Sequence, residues 1–199
     1  LLEPRAARIE GEVSPGMRDE EPAMATALLV VDVQRMLVDY LEPSRRAEFL
    51  AGLTALLHRA RAAEIPLVYV QHEDEELVPN TSGWEIADEI TPRAAEPIVR
   101  KRYRDAFRET ELSDVLARLG ADHVVVCGMQ TEFCVDATIR EAERRGYRVT
   151  LVEDGHATFL EDGATEEQIR AQVNRVARGA VAEVVPAAGI FALKQSAAG

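Results

Sequence analysis

Short apolar runs alternate along this chain with longer segments in which apolar residues recur at helical spacing. Six runs have the length and composition of buried β-strands, at residues 28–31, 67–70, 97–99, 123–127, 148–152 and 182–185. Strands that alternate with helices form parallel βαβ units, whose helices cover both faces of one sheet. The pattern therefore predicts an α/β fold with three α/β/α layers around a mostly parallel, six-stranded, Rossmann-like sheet.

Four segments between the strands carry the helical pattern. Ser44 is expected to cap a helix that runs to about residue 63. A second helix is expected between Thr110 and Gly120, and a third from near residue 135 to Gly146. The last helix follows residues 165–168, whose sequence Thr-Glu-Glu-Gln has the form of a capping box.

Both ends of the chain are expected to be loose. Residues 1–23 contain prolines and glycines among scattered charges, so we interpret them as a flexible N-terminal extension. Residues 24–193 form the predicted domain, and residues 194–199 a loose C-terminal tail. A total of 199 residues fits one such domain, since a domain takes about 150 residues.

The charge balance restricts the class of partner. Lysine and arginine number 23 against 35 aspartates and glutamates, which gives a net charge of −12. Nucleic acids and anionic membranes attract basic surfaces, so neither is expected as a partner, whereas a small-molecule substrate is. No apolar run has the roughly 18 residues of a spanning helix, and the run before Asp32 is too short for a signal peptide. We therefore expect a cytoplasmic protein.

Polar residues follow the predicted strands at the edge where such sheets bind ligands. Parallel α/β sheets hold their ligands beyond the carboxyl ends of the strands. The residues at these positions are Asp32, Gln71, His72, Lys101, the segment 128–134 and Asp154.

Cys134 offers a nucleophilic side chain within this set. Residues 126–135 are predicted to run from a strand, through a turn at Gly128, into an amphipathic helix with Cys134 in its first turn. Free backbone N–H groups and the helix dipole stabilise an anion there, so we expect a lowered thiol pKa, helped by Lys101. The same N–H groups can hold the oxyanion of a tetrahedral intermediate. Cys127, inside the strand, is expected to be a buried apolar residue.

Three motifs, in this order, resemble those of the isochorismatase-like cysteine hydrolase superfamily. They are Val-Val-Asp32-Val-Gln34, Val-Arg-Lys101-Arg-Tyr-Arg-Asp-Ala-Phe107 and Gly128-x-x-Thr131-x-x-Cys134-Val135. The similarity spans about residues 25–159. The resemblance implies a six-stranded parallel sheet and a catalytic triad of Asp32, Lys101 and Cys134.

The resemblance also implies a mechanism. It implies that the peptide bond between Met129 and Gln130 is cis, and that these two residues form an oxyanion hole with Cys134. Our hypothesis is that Asp32 takes the Cys134 proton while Lys101 stabilises the negative charges. The sulfur would then attack the carbonyl carbon of a small amide, and water would hydrolyse the resulting thioester.

No catalytic metal is expected. Nicotinamidase-like members of the superfamily resemble one another in an Asp-x-His…His metal site after the second strand. Here that region, residues 71–76, has His72 as its only histidine, and one histidine among acids is a poor set of zinc ligands. We therefore expect neither a metal nor another cofactor.

Other residues are candidates for substrate binding because of their positions. They are Gln34, His72, Trp84, Phe107 and Thr131. The basic run at residues 100–102 would favour an anionic group on the substrate. Members of the superfamily are commonly dimers or tetramers, so we expect a homodimer or homotetramer.

Three alternative functions stay open. True isochorismatases share the fold but lack the cysteine nucleophile and hydrolyse a vinyl ether, so Cys134 favours C–N bond hydrolysis over that reaction. A catalytically retired member could serve as a binding or assembly module, although the intact triad argues against it. A thiol redox protein would use Cys127 and Cys134, but their spacing differs from the CxxC arrangement.

Overall fold

The computed structural model describes residues 25–159 and 163–191 and contains one six-stranded sheet. Its strands are β1 (Thr26–Val31), β2 (Leu67–His72), β3 (Ile98–Lys101), β4 (His123–Met129), β5 (Arg148–Ala157) and β6 (Glu183–Val185). Their order is β3-β2-β1-β4-β5-β6, and every neighbouring pair is parallel. The predicted α/β fold is confirmed.

Helices cover both faces of the sheet. One face carries α1 (Arg35–Asp39) and α2 (Pro43–Ala62); the other carries α3 (Leu112–Arg118), α4 (Asp136–Arg144) and α5 (Glu166–Ala180). Successive residues of β1 alternate between the two cores: Leu28 and Val30 pack on the α2 side, Leu29 and Val31 on the other. The central strands β1, β2 and β4 are buried on both faces and are apolar for most of their length, which is why they stand out in the sequence.

The strand order determines where a ligand can bind. The chain moves from β1 outward to β3, and then returns to the other side of β1 to form β4. Side chains that follow β1 and β4 therefore meet at the crevice where the direction of the sheet reverses. Asp32 follows β1, and Cys134 follows β4 within a π-helical turn, Thr131–Val135.

Gly128 does not form the expected turn. It lies inside β4, which continues to Met129, with a φ of +128°. A β-carbon at this position would lie 2.0 Å from the carbonyl oxygen of Val31, so only glycine allows the two strands to approach here. The close approach brings the end of β4 against the residue that precedes Asp32.

Two helix starts differ from the sequence prediction, and one agrees with it. Helix α2 begins at Pro43, with Glu42 as the N-cap residue, so the prediction of Ser44 as cap is wrong; proline fits the first helical position because it needs no N–H donor there. Cys134 lies in the π-helical turn rather than in the first turn of α4. The capping box at Thr165 is confirmed.

The predicted domain boundaries are not tested. The expected extension at residues 1–23 and the tail at residues 194–199 lie outside the described residues, as do residues 24, 160–162, 192 and 193 of the predicted domain. In the parts of the chain that the structure describes, no helix is both long enough and apolar enough to cross a membrane.

Candidate active site

Asp32 is held at the end of β1 in an unusual backbone conformation. Its φ is +50°, a backbone conformation that residues other than glycine, asparagine and aspartate seldom adopt. Its N–H donates to the carbonyl of Val70 at 2.9 Å, and its carbonyl accepts from the N–H of Gln34 at 2.9 Å. These bonds fix a buried carboxylate beyond the central strand of the sheet.

Lys101 reaches this carboxylate from two strands away. It ends β3, is fully buried, and places Nζ 2.6 Å from Oδ2 of Asp32 and 3.2 Å from Sγ of Cys134. Two further acceptors lie near the same ammonium, Nδ1 of His72 and the carbonyl of Tyr103, both at 3.1 Å. The ammonium therefore bridges the carboxylate and the sulfur.

Cys134 is presented by the π-helical turn. The N–H groups of its neighbours Phe133 and Val135 both donate to the carbonyl of Gln130, at 3.2 and 3.1 Å. The peptide bond between Met129 and Gln130 is cis. Met129 is buried, whereas Gln130 and the half-buried Cys134 face a cavity.

The surroundings of Cys134 favour the neutral thiol over the thiolate. Burial and then the Asp32 carboxylate raise the pKa of Cys134 above its ordinary value, and Lys101 only partly opposes them. The expectation of a lowered thiol pKa is therefore wrong, because it considered the helix end and the lysine but not burial and the facing carboxylate. Burial lowers the pKa of Lys101, but Asp32 and Cys134 outweigh it, so the ammonium stays charged.

The surroundings of Lys101 also bear on metal binding. In the described part of the chain, one group of potential metal ligands stands out: Asp32, His72 and Cys134, whose donor atoms lie within 4.8 Å of one another. All three donor atoms contact Nζ of Lys101. Since an ammonium ion already lies among them, this donor set fits a lysine and not a divalent metal ion.

A cavity of about 470 Å³ opens onto the carboxylate and the sulfur. Its apolar and aromatic walls are formed by Met36, Leu37, Tyr40, Leu77, Phe133 and Phe159. Its charged lining comes from Asp74, Glu76 and Arg104. The guanidinium of Arg104 lies 4.2 Å from the ring centroid of Phe133.

One of the five predicted substrate-binding residues, His72, lines this cavity. The buried amide of Gln34 instead bonds to the backbone of His72 and Trp84. The buried Trp84 lies under the guanidinium of Arg100. The remaining two are part of the packing behind the site, with Phe107 stacked on Tyr147 and Thr131 bonded to His156.

Several cavity residues were missed by sequence reasoning. Met36 and Tyr40 belong to α1 and its end, a helix of five residues that is too short to show a periodic pattern. Arg104 and Phe133 lie inside two of the motifs, so their position in the motifs was the available signal.

The two arginines beside Lys101 make contacts outside the cavity. Arg100 stacks on Trp84, and Nε of Arg102 donates to Glu73 at 2.8 Å. Neither arginine lines the cavity. The expected preference for an anionic substrate therefore loses its structural basis.

The comparison with known proteins identifies the family to which this chain is related. Residues 26–184 match the model of the isochorismatase domain family. Two streptothricin hydrolases of Streptomyces noursei are 42% and 39% identical over 67% of this chain, which spans about half of their length, 54% and 50%. Nicotinamidase 3 of Arabidopsis thaliana is 28% identical over 73% of this chain and 79% of its own. The crystal structure of an isochorismatase from Pseudomonas putida has a TM-score of 0.76 and 30% identity, covering 86% of this chain and 93% of that one.

Proposed function

This chain belongs to the isochorismatase family, and on that premise we propose that it is a metal-independent cysteine hydrolase that cleaves the C–N bond of a small amide. The observation that carries the proposal is the position of Lys101, whose ammonium contacts both the Asp32 carboxylate and the Cys134 sulfur. The presence of a nicotinamidase among its relatives supports amide chemistry.

The first half of the reaction forms a thioester. As Sγ of Cys134 attacks the carbonyl carbon of the amide, Asp32 takes the thiol proton. Lys101 stabilises the negative charge of the Asp32 carboxylate before this transfer and the negative charge that develops on the sulfur during it. The raised thiol pKa explains why a base must act during the attack. The N–H groups of Phe133 and Val135 donate to the carbonyl of Gln130. We assign to the N–H of Cys134, which lies between them, the role of donor to the oxyanion of the tetrahedral intermediate. When that intermediate collapses, Asp32 gives its proton to the departing amine.

The second half releases the acid. Asp32, again a carboxylate, takes a proton from a water molecule, whose oxygen attacks the thioester carbon. The C–S bond breaks, the carboxylic acid leaves, and the proton returns from Asp32 to the sulfur. Each group ends in its starting state, so one catalytic cycle consumes one amide and one water molecule.

Ammonia release from a panel of primary amides tests this proposal. We expect Cys134→Ala to lower kcat by roughly 10³-fold or more without unfolding the protein, because it removes the nucleophile. Cys127→Ala is the matched control: that sulfur is buried in β4 and should leave turnover nearly unchanged. Mass spectrometry of rapidly quenched wild-type enzyme should detect the acyl group on Cys134.

Two outcomes would contradict the proposal. Amide turnover that survives Cys134→Ala would exclude the thioester route. Hydrolysis of a vinyl ether by both the wild type and Cys134→Ala, without amide turnover, would indicate the isochorismatase reaction instead.

A further inference from the structure

A line of hydrogen bonds leads from the mouth of the cavity to the buried triad through His72. Nδ1 of His72 lies 3.1 Å from Nζ of Lys101, and Nε2 lies 3.2 Å from Oδ2 of Asp74. His72 ends β2 and lies opposite Lys101 in the sheet register. Its ring, whose side chain is 15% exposed, therefore separates an exposed carboxylate from the buried ammonium.

The backbone of His72 is fixed by one buried side chain. Oε1 of Gln34 accepts from the His72 N–H at 2.9 Å, and Nε2 of Gln34 donates to the His72 carbonyl at 3.0 Å. The same Nε2 donates to the carbonyl of Trp84 at 2.8 Å. Since Gln34 follows Asp32 by two residues, these bonds fix the His72 backbone relative to the triad.

The contact with Lys101 decides which ring nitrogen carries the proton. An ammonium offers only donors, so Nδ1 must be the acceptor and the proton must be on Nε2, which donates to Asp74. Burial and then Lys101 lower the pKa of His72, against the opposing effects of Asp32 and Asp74. A second proton, on Nδ1, would direct a positive N–H at the ammonium.

We propose that neutral His72 is a positioning residue that holds the Lys101 ammonium between Asp32 and Cys134, and that protonation of His72 displaces this ammonium and inactivates the site at acid pH. The charged and titratable groups that face the ring are Lys101 from β3, Asp32 after β1, Cys134 from the π-helical turn and Asp74 on the loop after β2. The effect on turnover rests on the proposed function, whereas the hydrogen bonding of the ring does not.

Two substitutions distinguish holding the lysine from binding the substrate. His72→Leu removes the acceptor, so we expect kcat to fall at least tenfold while KM changes less than about twofold. His72→Asn places an amide oxygen near the position of Nδ1 and does not titrate. We expect His72→Asn to keep kcat within about threefold of the wild type. Its kcat should also fall less at acid pH than that of the wild type, because the part of the decrease caused by His72 protonation is removed. A rise in KM with an unchanged kcat in His72→Leu would overturn the proposal.

NMR spectroscopy of ¹⁵N-labelled histidine tests the ring without any substrate. We expect the proton on Nε2 at neutral pH and a titration midpoint below 6.5. Asp74→Asn removes a carboxylate that raises the pKa, so the midpoint should move further down. Glu73→Gln is the control, because Glu73 pairs with Arg102 and should leave the midpoint in place. A proton on Nδ1 at neutral pH would overturn the proposal even if His72→Leu does not fold.

Alkylation of Cys134 by iodoacetamide in the Cys127→Ala background separates the two proposals. If no amide is hydrolysed, but the ring is protonated on Nε2 and His72→Leu changes the alkylation rate at least threefold while His72→Asn does not, the proposed function fails and the assignment of His72 stands. If amides are hydrolysed and His72→Leu alters neither kcat nor alkylation, only the assignment of His72 fails.

Discussion

The Asp32–Lys101 pair is buried at both ends, with side chains 1% and 0% exposed. Removing one partner from such a pair leaves an uncompensated charge in a medium of low polarity, which typically costs about 3–5 kcal/mol. We expect Lys101→Met to lower the free energy of unfolding in urea by about that amount. The double variant Asp32→Asn/Lys101→Met should recover much of this loss, because neither charge is left, and asparagine tolerates the positive φ at position 32.

Activity should respond differently from stability in these variants. All three, including Asp32→Asn alone, lack part of the proposed proton transfer, so we expect turnover to be abolished in each. A double variant that is less stable than Lys101→Met would show that the carboxylate and the ammonium do not compensate each other. Recovered activity in the double variant would exclude Asp32 as the base.

At the scale of elements, the strands were predictable and the turns that follow them were not. Strands buried on both faces are mostly apolar, and this pattern located β1, β2, β4 and the first half of β5, which continues to Ala157. The edge strands β3 and β6 have exposed residues and were located from shorter apolar runs, and β3 continues to Lys101. The π-helical turn at Thr131–Val135 depends instead on what packs behind it. Sequence periodicity cannot report such packing, so Cys134 was assigned to the adjacent α-helix.

That packing is a buried row of hydrogen bonds between three elements. Oγ1 of Thr131 in the π-helical turn lies 2.9 Å from Nδ1 of His156 in β5, and Nε2 of His156 lies 3.0 Å from Oδ1 of Asn174 in α5. The amide of Asn174 also donates to the carbonyl of Glu153 at 2.9 Å. Because the amide nitrogen of Asn174 donates to Glu153, the amide oxygen accepts from the Nε2 proton of His156. In the neutral ring that burial favours, Nδ1 accepts from the Thr131 hydroxyl.

The row makes stability depend on pH. Burial lowers the pKa of His156 from 6.5 to about 4, so between these values the unfolded chain binds a proton that the folded protein does not. The contribution of neutral His156 to the free energy of unfolding is complete above pH 6.5 and is lost as the pH falls toward 4. Between pH 7 and pH 5 we expect the free energy of unfolding to fall by about 2 kcal/mol more in the wild type than in His156→Gln, measured by urea unfolding.

A ring titration provides an independent check of this prediction. The His156 imidazole should stay neutral in NMR spectra until the pH approaches 4, whereas an exposed histidine becomes charged near 6.5. A His156 midpoint near 6.5, or equal pH dependence of stability in the two proteins, would contradict it. The titration also serves if His156→Gln does not fold.

At the scale of the whole molecule, sequence reasoning located the centre of the candidate site better than its walls. Asp32 follows β1, Lys101 is the last residue of β3 and Cys134 lies beyond β4. The strand order brings the three together, so they could be nominated from the sequence. The cavity walls come from α1 and from loops, whose course depends on tertiary packing. For that reason Gln34, two residues after Asp32, and Trp84 take part in hydrogen bonds that support the backbone of the site instead of lining the cavity.

The charge of the molecule and of the cavity mouth predicts a preference among substrates. The chain has a net charge of −12, and Asp74 and Glu76 line the cavity while Arg104 lies over an aromatic ring. The Lys101 ammonium donates inward and is surrounded by acceptors of the protein. We therefore expect amides with a cationic or neutral group to have a kcat/KM roughly three- to tenfold above that of size-matched amides with a carboxylate.

Two neighbouring acids provide the matched comparison. Glu76→Gln removes a charge from the cavity wall and should reduce the preference for cationic over anionic amides, whereas Glu75→Gln, next to it but outside the wall, should reduce it less. High salt should also reduce the preference for cationic over anionic amides, because at 1 M ionic strength charges are screened beyond about 3 Å. A preference for carboxylate-bearing amides would contradict this prediction and would point to Arg104 as the residue that binds the carboxylate. If Arg104→Gln then abolished the preference for carboxylate-bearing amides, Arg104 would be identified as the residue that selects the substrate charge.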